Sequence, residues 1–344
     1  MNNYRFGYVD LSWILTRNFY MISKKYGVDP HVVGETLKLT IQTIGKILRE
    51  NDFTVEKIIF VGDRWKPEIE GYYRTKILRD SGIQFKAGRK YYTEKGLEEV
   101  KADPNSSDAD IKKYEIQLEL YKLKSQAKEL IMSEFPKIGF YTYRKEGYEF
   151  DDVVTMASFI RARDFDPLTM KKDLIIAVDS DVSYSLSPGC DMFKPKVSSN
   201  PGRIITYDEM YATIPQEVID AGFSLYQYHA MCDILGGSHN GLVSVKKMFK
   251  NTNETIIKML KGDYSNIVEG KLDQFNLQYE TFNIWKFPEI DQLENDIITL
   301  FDKGGRIPSG QECMDFCNKY DVGIYSERYF TDIYENFDPK YYTE

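Results

Sequence analysis

Short apolar runs that each close on an acidic residue, separated by helix-patterned stretches, constrain this 344-residue chain more than any other feature. Arg5 to Asp10 reads as a strand ending in Asp10, and Lys57 to Val61 as a buried strand before Asp63. Asp173 to Val178 reads as a strand that delivers Asp179, and Ile138 to Tyr143 as a further strand. Between them, Leu37, Ile41, Ile44 and Leu48 predict an amphipathic helix over 32–50. Ile116, Leu120, Leu123, Ala127 and Leu130 predict a second helix from about 109 to 134, and 150–163 is a third. Residues 102–108 are a loop by composition. Strands alternating with helices imply an α/β chain with a mostly parallel central sheet and helices on both faces. The functional crevice of such a sheet lies beyond the carboxyl ends of its strands. Asp10, Asp63 and Asp179 stand at such ends, so they are expected to converge with Glu149, Asp151, Asp152 and Asp181. Carboxylates brought together must be protonated or hold cations between them. An oxygen cage suits a hard divalent ion such as Mg²⁺. Metal-assisted phosphodiester chemistry is the expectation.

Composition narrows the setting. Hydrophobic residues make up 42% and charged residues 28%, a soluble globular profile. No apolar run approaches the roughly 20 residues needed to cross a bilayer, so no membrane partner is expected. Met1 to Arg5 is not followed by a signal-peptide apolar core. Cys190, Cys232, Cys313 and Cys317 show no paired framework, which fits a reducing cytoplasm. Cys313 and Cys317 read as free thiols rather than zinc ligands, and the scattered His31, His229 and His239 argue against a histidine-based zinc centre. The net charge of −8 does not exclude nucleic acid, but it predicts weak, salt-sensitive non-specific binding.

Spacing within the acidic segments sharpens the expectation. Glu149 and Asp152 lie three apart and share a helix face. Asp179 and Asp181, two apart on an extended segment, point the same way. Two metals about 3.5–4 Å apart would let one activate water and the other stabilise the leaving oxygen. Each acid also has a plainer reading. Asp10 can cap the turn after its strand, Asp63 can be a solvated loop residue, and 149–152 can be helix N-terminal charges. The apolar residues that follow favour Glu149 and Asp152 as inward-facing and Asp151 as the solvated member. Residues 64–90 are basic and aromatic. There Tyr72, Tyr73 and Phe85 suit stacking on bases, and Arg74, Lys86 and Arg89 suit contact with a scissile phosphate. From 200 the pattern changes. Arg203 to Tyr207 reads as a small hairpin, and a helix starting near Pro215 runs to Leu235 and breaks at Gly236-Gly237. Leu242 to Phe249 restarts a helix. With Lys246, Lys247 and Lys250 this makes a helix–turn–helix near 213–250, suited to gripping duplex phosphates.

The order of motifs resembles the 5′ nuclease superfamily, which includes flap endonucleases, the 5′ nuclease domains of bacterial DNA polymerases and the ribonuclease H-type 5′-exonucleases of tailed phages. Tyr148 to Val154 resembles its Tyr-Glu-Ala-Asp-Asp block, and Ile175 to Asp181 its strand ending in Asp-x-Asp. Phe85 to Arg89 resembles its Tyr-Lys-x-x-Arg, Arg74 its upstream arginine, and Val9 to Ser12 and Phe60 to Asp63 its first two acidic strands. The resemblance covers roughly 4–250, closest to the phage branch. It implies a PIN-like nuclease core over 1–200 with a helical arch at 91–134, followed by a helical duplex-binding region over 201–344. It implies Mg²⁺ or Mn²⁺ as cofactor, and metal-dependent hydrolysis of DNA flaps or of RNA–DNA hybrids from the 5′ end, as in replication or primer removal. Asp10, Asp63, Glu149, Asp151, Asp152, Asp179 and Asp181 would hold metal, and Arg74, Lys86 and Arg89 would neutralise charge on the phosphate. Lys112, Lys113, Lys122, Lys124 and Lys128 would line the arch. Such a protein is expected to be a monomer in the cytoplasm (the host's, if phage-encoded), with a single-strand binding protein or a clamp as partner.

The chain departs from the family at its helix–turn–helix. Where the family reads Gly-Asp-x-x-Asp-Asn, this chain reads Gly236 to Gly241 with Gly237 and Asn240 at the aspartate positions. The second metal site is thus expected to be degraded, resting mainly on Asp181 with Asn240 or water, with Asp233, one turn before Gly237, as the candidate substitute for the missing aspartate. A catalytically weak or inactive nucleic-acid-binding relative, acting as a replication scaffold, is the alternative this loss favours. A haloacid-dehalogenase-type phosphatase would want an Asp where Ser12 stands, and a small PIN-type nuclease would be shorter.

Overall fold

The computed structural model describes residues 2–63, 73–80, 92–196, 202–236, 245, 253–303, 307–322, 330 and 333–334. In chain order the elements are β1 (Asn2–Asp10), α1 (Leu11–Tyr26), α2 (His31–Glu50), β2 (Phe53–Val61), α3 (Tyr73–Asp80), α4 (Glu94–Ala102), α5 (Asp108–Glu134), β3 (Tyr141–Tyr143), α6 (Phe150–Arg163) and β4 (Lys172–Ile176). They continue with β5 (Cys190–Lys194), β6 (Arg203–Ile205), α7 (Tyr207–Tyr211), α8 (Gln216–Asp220), α9 (Leu225–Gly236), α10 (Asn253–Leu260), α11 (Leu272–Phe282), α12 (Ile290–Asp302) and α13 (Gly310–Lys319). The strands form one six-stranded sheet in the order β3-β2-β1-β4-β5-β6. Pairings β1–β2, β2–β3 and β4–β5 are parallel, and β5–β6 is antiparallel. The chain is thus α/β with a mostly parallel sheet. It divides into two compact units. The first is Met1–Gly62, Lys90–Tyr143 and Gly304–Glu344, and the second is Asp63–Arg89 and Arg144–Lys303. Among the described residues no helix is long and apolar enough to cross a membrane.

In the first unit, Ile58 to Val61 of β2 are all buried, the run of apolar residues that a strand covered on both faces requires. Leu37, Ile41, Ile44 and Leu48 of α2 form its buried stripe, as their spacing predicts. Helices α1 and α2 are also joined by a buried polar contact, in which the Asn18 amide donates to Thr40 and Thr43 at 3.3 Å each. Long α5 opens on a capping box between Ser107 and Asp110 and buries Leu118, Ala127 and Ile131. The strand expected over 138–143 is shorter. Phe135–Ile138 form a 3₁₀ turn, and β3 keeps only three residues. Burial explains the difference: Phe135 and Phe140 each pack 5.3 Å from the Phe60 ring, which directs the apolar part of this segment into the core.

In the second unit, α6 spans the residues expected of it. Strand β5 lacks a sequence signal because buried Asp191 interrupts the apolar run. Its charge is met by Lys172 at 2.9 Å. The small hairpin expected within 203–207 is not formed there; residues 203–205 are one strand that pairs antiparallel with the preceding β5, Met192 opposite Ile205. The single helix expected up to Leu235 is two, α8 and α9. Ser224 caps a fresh start: its Oγ accepts the Gln227 N–H at 3.2 Å, and the Gln227 side chain accepts the Ser224 N–H at 2.9 Å. Met231, Ile234, Ile256, Met259 and Phe275 form a small separate core behind α9. Among the described residues no disulfide links the four cysteines.

Gly34 fixes how the last segment of the first unit seats. A Cβ at this position of α2 would lie 2.2 Å from the Tyr320 carbonyl oxygen, just after α13. Alanine is the better helix former by about 1 kcal/mol. Gly34→Ala is nevertheless expected to destabilise by about 1–3 kcal/mol, because backbone must move to admit the methyl. Thermal unfolding decides the sign.

Candidate functional site

The acidic block at the start of α6 is organised around one cation from the same unit. Glu149 precedes the first turn in extended conformation, and Asp152 reaches back so that its Oδ2 accepts the Glu149 N–H at 2.9 Å. The other Asp152 oxygen takes the Arg74 guanidinium at 2.5 Å. Arg74 also donates to Glu149 at 3.0 Å, to Asp151 at 3.3 Å and, through Nε, to the Thr281 carbonyl at 3.2 Å. Only 7% of Arg74 and 1% of Asp152 is exposed. The rings of Phe282 and Phe287 lie 5.9 and 5.7 Å from the guanidinium carbon. Burial works against charging Arg74, but the three carboxylates outweigh it and push its pKa up. Burial also pushes the Asp152 carboxyl up, against the pull of Arg74. Arg74, expected to face a phosphate, is thus turned inward.

The backbone beside it is equally fixed. Tyr73 N–H donates to the Gly147 carbonyl at 3.0 Å. Gly147 has φ 81°, and a Cβ there would meet the Tyr73 ring at 2.4 Å, so only glycine fits. Tyr73, expected to stack on bases, instead packs edge-on against Tyr148 at 5.3 Å. The Tyr148 hydroxyl donates to the Pro288 carbonyl at 2.6 Å. The aromatic and carbonyl partners of Arg74 at 281–287 could not be found from sequence; Thr281 stands 207 residues away from it.

The remaining acids behave differently. Asp63 Oδ1 accepts the Phe150 N–H at 2.8 Å, so Asp63 caps α6 at the residue before Asp151. The Asp151 side chain is 46% exposed. Asp179 and Asp181 are exposed but do not share an extended segment: Asp181 opens a 3₁₀ turn, and its N–H donates to Asp179 Oδ1 at 3.1 Å. In the first unit Asp10 caps α1, accepting the Trp13 N–H at 3.1 Å. The donor chemistry of Asp63, Asp151, Asp179 and Asp181 suits a hard cation, being oxygen-only and open to solvent. Glu149 and Asp152 differ: both are buried, both are neutralised by Arg74, and each accepts a backbone N–H of the capping box at the start of α6. Among the described residues no three His, Cys, Asp or Glu side chains are placed to hold one ion. Tyr72, Phe85, Lys86, Arg89, Asn240, Lys246, Lys247 and Lys250 lie outside the described residues. Of the lysines expected to line an arch, Lys122 pairs with Glu94 and Glu119 at 2.7 Å each.

No protein-family model matches the sequence, and no curated protein matches it. Among solved structures, the chain is similar to a 5′-exonuclease of bacteriophage T5 with divalent zinc ions bound, at 15% identity and a TM-score of 0.42, over 97% of this chain and 99% of that one. It is similar to a bacteriophage T5 flap endonuclease in a complex with DNA and metal ions, at 13% identity and a TM-score of 0.48, over 88% of this chain and 100% of that one. It is also similar to human GEN1 in complex with Holliday junction DNA, at 13% identity and a TM-score of 0.45, over 96% of this chain and 71% of that one.

A histidine that sequence reading set aside lies beside the Asp181 turn. The His229 ring stacks on Tyr184 at 3.8 Å, and its Nε2 is buried with no hydrogen-bond partner. Burial holds the imidazole down, at about 4. The unfolded chain therefore takes this proton first as pH falls. The contribution is present above the ordinary histidine pKa near 6.5 and is lost as pH falls toward about 4. His229→Phe, which keeps a ring and removes the titration, is expected to flatten that part of the stability–pH curve by about 1 kcal/mol, a figure discounted for partial exposure. Urea unfolding from pH 4 to 7 measures it.

Proposed function

We propose that this chain is a metal-dependent nuclease that hydrolyses phosphodiester bonds from the 5′ end, on DNA flaps or RNA–DNA hybrids, in replication or primer removal. The observation that carries the reading is the Asp63–Phe150 hydrogen bond, which brings together two acidic segments 87 residues apart in the sequence. The five motifs in family order support it. Asp63, Asp151, Asp179 and Asp181 are the carboxylates we assign to Mg²⁺ or Mn²⁺, with Asp10 added on the strength of its motif. A bound divalent ion would supply Lewis acidity toward a phosphoryl oxygen. Asp63 has a second task, since its hydrogen bond fixes the turn that presents Asp151. Lys86 and Arg89 would meet the phosphate, Tyr72 and Phe85 would stack on bases, and Lys246, Lys247 and Lys250 would hold the duplex, all on the strength of the resemblance. With a net charge of −8, grip on DNA must come from such local cations and weaken steeply with salt.

A second reading has its own support. Gly237 and Asn240 stand at two aspartate positions of the family motif, and the described acids form no ready-made ion cage. These favour a nucleic-acid-binding relative that scaffolds replication without cutting.

A 5′-flapped duplex incubated with Mg²⁺ or Mn²⁺ separates the two. The nuclease reading expects cleavage that EDTA abolishes and that Asp63→Asn or Asp151→Asn lowers about 100-fold or more, the several kcal/mol that a Lewis-acidic ion supplies. Binding of the flap with no cleavage under either ion would establish the scaffold instead.

A further inference from the structure

The Arg74 cluster supports a conclusion that does not depend on any catalytic activity. We propose that Arg74 is a resident counter-cation, standing where the Glu149–Asp151–Asp152 cluster would otherwise need a divalent ion, and that it withdraws Glu149 and Asp152 from metal binding altogether. The geometry suits a guanidinium and not a metal. Four hydrogen bonds leave Arg74 along its planar fork, to Thr281, Glu149, Asp151 and Asp152. An ammonium or a spherical ion has no such fork. The rings of Phe282 and Phe287 lie beside the guanidinium, and only 7% of Arg74 is exposed. Mg²⁺ gives up water reluctantly and usually keeps several waters, for which a buried aromatic wall is a poor setting. Guanidinium is the more weakly hydrated cation and tolerates that wall. Asp152 is committed on both oxygens, one to Arg74 and one to the Glu149 amide. The block therefore splits: Glu149 and Asp152 face inward to tie α3 and α11 to α6, and Asp151 alone of the three remains half exposed, one residue after the amide that Asp63 caps. Arg74 is then a positioning residue that holds the turn from which Asp151 projects.

A charge-neutralisation cycle in EDTA tests this on the full-length protein. Arg74→Met leaves buried carboxylates unpaired and is expected to lower the melting temperature by about 5 °C or more. Adding Glu149→Gln and Asp152→Asn removes the stranded charges and should restore at least half of that loss. If the losses simply add, the proposal is overturned. Should Arg74→Met not fold, a triple variant that folds supports the proposal, and one that stays unfolded overturns it. Mn²⁺ supplies the second arm. The wild-type melting temperature should change with Mn²⁺ no more than that of Asp152→Asn does. A Mn²⁺-induced rise that Asp152→Asn abolishes would make the metal the counter-ion and sink the idea. The nuclease reading can fail in its cleavage assay while this cycle succeeds, and the reverse, so the two are judged separately.

Discussion

A buried arginine held by three carboxylates is the constraint on which the architecture around α6 depends. One of these charges alone could not be buried there, because desolvating an unpaired ion costs several kcal/mol. Together they are tolerated, because the Arg74 guanidinium makes four hydrogen bonds to oxygens and the rings of Phe282 and Phe287 lie beside it. The arrangement ties three helices that are remote in sequence: α3 through Arg74, α6 through the acids, and α11 through the Thr281 carbonyl. Gly147 and the Tyr73–Tyr148 contact lock the approach to α6 from outside. A salt bridge of this kind is weak evidence for net stability, since apolar packing of equal volume can do as well. Its clearer consequence is geometric: it sets which acids turn inward and which do not.

That geometry changes how the acidic residues divide their work. Four acids that sequence reading grouped by spacing belong to separate tasks. Asp152 and Glu149 neutralise Arg74, Asp63 satisfies an amide at the start of α6, and Asp10 satisfies one at the start of α1. Helix starts attract carboxylates for reasons unrelated to metals, because their amides lack partners and the dipole favours negative charge. Capping and metal binding are compatible in chemistry, since a carboxylate has more than one lone pair. The half-exposed Asp151 and exposed Asp179 and Asp181 are the acids a ligand can reach without disturbing the core.

Much of the fold was legible because it rests on local periodicity. The stripe of Leu37, Ile41, Ile44 and Leu48 and the apolar run ending at Val61 are buried as their spacing requires. The inward placement of Glu149 and Asp152 was legible from the apolar residues after them. Strand β5 was not, since buried Asp191 breaks its pattern and its charge is met by Lys172, 19 residues earlier. The division at Ser224 was missed although its signal was present, a serine three residues before a glutamine. The extended reading of Asp179 to Asp181 failed because an aspartate that accepts the N–H two residues on folds into a turn.

The sequence by itself determined the class of the chain, the order of its strands and helices along it, and the residue types able to serve a hard cation, since each of these depends on neighbours a few positions apart. Tertiary structure alone decided what those acids face. Whether a carboxylate meets an arginine, an amide or solvent depends on groups such as Thr281 and Phe287 that reach it only once the chain has folded, and burial then fixes both its charge and its partner.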